Sequence, residues 1–254
     1  MEEFDVANIL TRSCKLVPSR PRLEEEQILL AKIVTYTSLQ SYKVVLFVQS
    51  GLVCLQRARD FEFWVQIFDS VTGSWKTKKL VELPYHNNWT LSSAVYFNGA
   101  LYMVAGNGTT RLVAFDMEEE TLTELNTEAL GDYGGPIDGK YMEFVEQLVV
   151  CNGNMFAICK GGTFTLGSDI YIWVQKVALS KGRLSIVEQG RPGFFNLTRS
   201  NEPVAYGGLV YFWAKDSRYD SHDRILVNDV LEKSWGRLPS CTNGLYTGCC
   251  FNQL

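Results

Sequence analysis

Histidine is almost missing from this sequence. Only His86 and His222 occur among 254 residues. Both fall in segments without strand patterning, and neither has a second histidine at ligand spacing. Metal centres usually draw on clusters of His, Cys and carboxylates. The one stretch that mixes imidazole with carboxylates, DSHD at 220–223, reads as a solvated loop, as charge clusters usually do. No metal and no other cofactor is therefore expected. Paired catalytic residues are lacking too, so an enzyme is not expected.

Other absences narrow the class. No apolar run reaches the length of a membrane span. The start, MEEFDVANILTRS, is acidic and has no apolar core like that of a secretory leader. Cysteine occurs seven times, at 14, 54, 151, 159, 241, 249 and 250, an odd number with no C-x-x-C pair. The reading is reduced, mostly buried thiols in an intracellular protein of the cytoplasm, the nucleus or both. Burial is also weighed above reactivity for Cys249 and Cys250. The sequons at Asn88, Asn107 and Asn196 carry no weight without a secretory route. Positive charge is not in excess: the net charge is −4, which argues against a nucleic-acid partner. The Gly-rich stretches at 106–111 and 161–168 are not followed by a helix that would hold a phosphate.

What is abundant is short strands. Residues 61–68 (FEFWVQIF) are apolar and β-rich, and they run into Asp69-Ser70-Val71-Thr72-Gly73 and then Trp75. That is strand, tight turn, strand. The pattern recurs at 7–18, 115–125, 177–184 and 228–239, and the residues after the turn are Cys14, Trp75, Leu122, Leu184 and Trp235. A second hairpin, with a glycine in its turn, precedes several copies: 96–106, 150–162 and 206–215. Each unit thus carries about four strands, the sign of a propeller-like repeat of roughly 40–50 residues. Trp75 and Trp235 are expected to pack between neighbouring units.

The expected fold is all-β, a single β-propeller over 1–254. Its parts are an outer half-blade at 1–18, blades at 28–79, 91–125, 141–188 and 199–239, and a closing strand fragment at 245–254. Residues 20–27 read as a polar connection, with a helical turn at 23–30 as the alternative. Residues 80–90, 126–140 and 189–203 read as linkers. Either the two chain ends pair to close five blades, or upstream residues complete a larger ring.

The order of these segments resembles a known family. Residues 8–18 (NILTRSCKLVP) resemble a signature of land-plant F-box/kelch proteins, with Ile9 where that family has proline. SYKVVLF at 41–47 with VQIFDSVTGSWK at 65–76, and LSSAVYFNGALYMVA at 91–105, resemble the next two. The resemblance implies a kelch-type propeller of about five to six blades of four antiparallel strands. In that family an N-terminal F-box binds a Skp-type adaptor of a cullin-based ubiquitin ligase, and the propeller recruits the target protein. No F-box precedes Asn8 here, so adaptor and cullin are expected as partners only with an upstream F-box. The other reading is a kelch-type enzyme or ligand-binding propeller acting on small molecules. A third is a decoy that binds the target without delivering it.

Strand alternation places the candidate face. In a four-stranded unit, the first and third turns open at one end. The second loop and the connection to the next unit open at the other. The irregular segments belong to that second end, and binding residues concentrate on loops held by rigid scaffolds. The candidate contacts with a protein partner are Arg57, Arg59, Tyr85, His86, Tyr133, Phe194, Phe195, Arg218, Tyr219 and His222.

Overall fold

The computed structural model describes residues 4–8, 13–36, 41–51, 62–80, 90–106, 110–125, 144–162, 170–180, 183–188, 193–195, 197–200, 203–216 and 223–238. Among the described residues there are twenty β-strands and no helix. The chain divides into two contact units, Met1–Leu91 and Ser92–Leu254.

In the first unit, β1 (Phe4–Asn8) and β2 (Ser13–Val17) form a two-stranded sheet. Strands β3 (Glu26–Tyr36), β4 (Ser41–Ser50), β5 (Glu62–Asp69) and β6 (Ser74–Leu80) follow as one antiparallel meander in chain order. The five residues from Val44 to Val48 are all buried, so the second strand is covered on both faces. One of those faces belongs to a cluster of Val44, Leu46 and Val48 with Phe68 and Val17. Through Val17 the small sheet is packed onto the large one.

The second unit repeats the meander. Strands β7 (Thr90–Phe97), β8 (Ala100–Gly106), β9 (Thr110–Asp116) and β10 (Leu122–Leu125) form one sheet in chain order. The next comprises β11 (Phe144–Cys151), β12 (Asn154–Gly162), β13 (Ile170–Ser180) and β14 (Arg183–Glu188), with β15 (Gly193–Phe195) also on the third strand. The last joins β16 (Leu197–Ser200) and β17 (Val204–Tyr206) to β18 (Leu209–Asp216), β19 (Asp223–Asp229) and β20 (Ser234–Arg237). The middle sheet has a core on each face. Leu112, Leu148, Met155 and Leu184 fill the side shared with β7–β10. Ile158, Ile172, Phe212 and Leu226 fill the side shared with β16–β20. Side chains of alternate parity along each strand serve the two cores, as the pleat requires.

Three expectations are corrected. The helical alternative at 23–30 is not what forms: residues 24–25 turn and β3 starts at Glu26. Segment 189–203 is more than a linker. The third strand of its sheet is eleven residues long and β14 is six, so β15 pairs with the remaining Ile170–Ile172 edge. Capping that edge satisfies backbone groups that would otherwise stay unpaired. β16 then begins the next sheet by pairing with β18.

The third correction concerns Arg20, expected in a polar connection. Its side chain is 3% exposed. Nη1 donates to Glu26 Oε2 at 2.8 Å and to Gln66 Oε1 at 2.9 Å, while Nη2 donates to the second Glu26 oxygen. Gln66, fully buried, donates in turn to the Pro21 carbonyl at 2.7 Å, and Leu23 N–H donates to Glu26 at 2.9 Å. Burial pushes the Glu26 carboxyl up, but the hydrogen bonds from Arg20 and Leu23 outweigh it and hold it below the usual range. These bonds strap the segment to the sheet, since a buried ion pair holds where further hydrogen bonds support it.

Candidate interaction surface

The two ends of the sheets differ in construction. At one end lie tight turns. The first-hairpin turns of the second unit are Asn98-Gly99, Asn152-Gly153 and Gly207-Gly208, each with two successive positive φ values. That pair matches the right-handed strand twist, and Asn and Gly are the residues that tolerate it. The second-hairpin turns start at Asp69, Asp116 and Asp229. Asp69 Oδ1 accepts the Val71 amide at 2.8 Å. Asp116 Oδ1 accepts Glu118 and Glu119, and Asp229 Oδ1 accepts Leu231 and Glu232. Four residues after each Asp the chain takes positive φ, at Gly73, Glu120 and Lys233.

The turns of a sheet are joined to each other. Met117 N–H donates to Gly99 carbonyl and Val230 N–H to Gly208 carbonyl, both at 3.1 Å; in the first unit Ser70 N–H donates to Tyr42 carbonyl at 3.0 Å. First and third turns therefore open at one end, as strand alternation requires. In the second unit two large apolar side chains are exposed at this end. Tyr206 is 70% exposed and Leu231 72%. Both flank the Gly207-Gly208 turn, and a Cβ added at Gly208 would lie 3.0 Å from Asn152 Nδ2 and 3.9 Å from Leu231 Cδ1. Lys233 is paired with Glu188 of the neighbouring sheet, whose carboxyl that hydrogen bond holds below the usual range.

The opposite, loop end is the one the sequence nominates. Arg57, Arg59, Tyr85, His86, Tyr133, Arg218, Tyr219 and His222 lie outside the described residues. Phe194 and Phe195 lie on β15, opposite Tyr171 and Ile170. They sit on a paired strand instead of the irregular loop expected. Several other described groups near this end pair with one another. Trp64 Nε1 donates to Ser50 Oγ at 3.0 Å, and Lys79 pairs with Glu62 while lying 5.9 Å from the Trp64 ring centroid. The Lys79 hydrogen bond holds the Glu62 carboxyl below its ordinary value. In the second unit Arg111 grips both oxygens of Glu124 at 3.0 and 3.2 Å.

The tryptophans after the turns are packing residues. Trp75 lies tilted against Phe68, with ring centroids 5.5 Å apart, and donates to Pro18 carbonyl at 2.7 Å. Trp235 lies 5.4 Å from Phe212, against the core shared by the last two sheets. Two cysteines are described in detail, Cys151 and Cys159, both buried and free. Burial pushes the Cys151 thiol up, which suits an inert side chain.

Residues 2–182 match the family model described as the F-box associated beta propeller domain. The chain belongs to that family. The match covers most of the sequence and agrees with the repeated four-stranded antiparallel sheets. An F-box-associated propeller is a substrate-binding interaction module, and its turns and loops are the surfaces it can offer. No curated protein matches the chain.

Proposed function

We propose that this propeller is the target-recognition part of an SCF-type ubiquitin ligase subunit. The single observation that carries the reading is the family match over residues 2–182. The finer assignment is to the kelch type, with five to six blades in the closed ring, as in land-plant F-box/kelch subunits. It rests on the order of segments 8–18, 41–47, 65–76 and 91–105. In this reading the protein is intracellular and not itself an enzyme. A target protein is held by the loop end, around Arg57, Arg59, Tyr85, His86, Tyr133, Phe194, Phe195, Arg218, Tyr219 and His222. The Skp-type adaptor and cullin are recruited through an F-box in the same polypeptide.

The test is immunopurification of the endogenous protein with an antibody against residues 215–224, followed by immunoblot for size and for adaptor and cullin. The expected result is a band above 28.7 kDa with both partners present. A band at 28.7 kDa that binds a target without cullin would instead mark a decoy. Metal-dependent turnover of a small molecule by the purified chain would overturn the interaction-module reading.

A further inference from the structure

We propose that the seam between the last two sheets of the second unit holds a subsite for one acidic side chain of a partner protein. The cleft is separate from the loop end, and its chemistry is the same whether or not the chain works in a ligase.

Strand register builds the cleft. Phe156, Lys176 and Glu188 sit in one row across β12, β13 and β14. The β19–β20 hairpin faces that row with Asn228, Val230 and Lys233. Phe156 and Val174 are buried in the core shared by the two sheets, and Val230 packs against that core. These three side chains give the cleft apolar walls, while Lys233 and Glu188 remain partly open to solvent. The empty space is about 260 Å³ with its open mouth included. Drug-sized ligands need roughly 300–1,000 Å³. The cleft therefore suits a group the size of a side chain.

Charge selects the group. Lys233 is paired with Glu188. Lys176 has no hydrogen bond or ion pair of its own among the described residues, and it acts on Glu188 only at longer range. Two ammoniums against one carboxylate leave a single positive charge, which one further carboxylate balances. A phosphate dianion would overshoot and be repelled by Glu188. Asn228 is buried, and its side chain makes one long hydrogen bond, from Nδ2 to the Ser234 carbonyl at 3.4 Å. A carboxamide carries two N–H donors, so one is left for an incoming oxygen. Asp229, between Asn228 and Val230, is engaged by the Leu231 and Glu232 amides. A glutamate fits this arrangement: its methylenes meet the apolar walls and its carboxylate meets Lys176 and Asn228. Hydrogen bonds with both partners charged are stronger than neutral ones, so this contact would anchor a partner.

The experiment pans a library of short random peptides against the intact chain, then measures the recovered peptides by fluorescence anisotropy. Free glutarate, titrated separately, tests for a small carboxylate. The variants are Lys176→Gln and Glu188→Gln; neither position is buried, and melting temperatures check that both fold. The expected peptides share a Glu or Asp. Their affinity should fall at least about fivefold in Lys176→Gln. It should rise in Glu188→Gln, which removes the competing carboxylate, and misfolding cannot produce a gain. Added salt should weaken binding to the wild type. A recovered peptide with phosphoserine in place of its acid should bind less well. Peptides without an acid, unchanged affinity in Lys176→Gln, loss in Glu188→Gln, tighter binding of the phosphoserine form, or glutarate binding with no peptide recovered would each overturn the proposal. So would the absence of any binder.

Discussion

Asp116 shows how much one carboxylate can organise. Its Oδ1 accepts two backbone amides, those of Glu119 and Glu118, and these bonds hold its carboxyl below the ordinary range. A depressed folded value means the stabilisation is present above the unfolded value of 3.8 and is lost as pH falls through the folded one. Replacing Asp116 with Ala should cost about 1 kcal/mol at neutral pH, like losing a helix cap. The gap between wild type and variant should close on acidification, read as urea midpoints across a pH series. A constant gap would mean that the charge is not what closes the turn. Such turns were legible in the sequence because donor and acceptor lie within three residues. Arg20 was not. Its partners Glu26 and Gln66 are 6 and 46 residues away, and nothing in RPRLEEEQ announces burial.

Turn chemistry also sets the hairpins at the scale of the element. Asn98 sits at φ 47 ahead of Gly99 at φ 87. Left-handed backbone costs an ordinary L-residue roughly 1–2 kcal/mol, and Asn or Gly less. Asn98→Ala should therefore destabilise by about 1 kcal/mol, whereas Asn98→Gly should be close to neutral. Thermal melts of the pair decide it: equal losses in both would implicate the amide side chain rather than the backbone. The long strands were legible for a related reason. The expected strand at 61–68 differs from the observed Glu62–Asp69 by one residue at each end. It is a β-rich run that ends in turn residues. The short β15 and β16 carry no such run of their own. They are strands because the long third strand and β18 leave edges to be covered, a fact of tertiary structure.

At the scale of the molecule, cores are shared between the sheets within each unit. Phe212 is 1% exposed, touches Trp235, and belongs to a cluster drawn from both β11–β14 and β16–β20. Phe212→Ala should cost about 3–5 kcal/mol. Amide exchange should then accelerate in both sheets. Acceleration confined to β16–β20 would show that the cluster does not couple them. The candidate surface was the least legible part. Strand alternation tells which turns open at the same end, and the interturn hydrogen bonds agree. It does not reveal that Tyr206 and Leu231 from separate hairpins flank one turn, because that juxtaposition needs the third dimension.

The meander order itself has a temporal meaning. Within each of the three meanders between β3 and β14, every strand after the first pairs with the one made just before it, and most of the hydrogen-bonding partners are a few tens of residues apart or fewer. A chain leaving the ribosome at about 5–20 residues per second can finish one sheet before the next has been synthesised. The nascent protein thus never holds a strand waiting long for a distant mate. What must wait, in the second unit, is the apolar face of each finished sheet, which stays bare until the next sheet emerges to cover it.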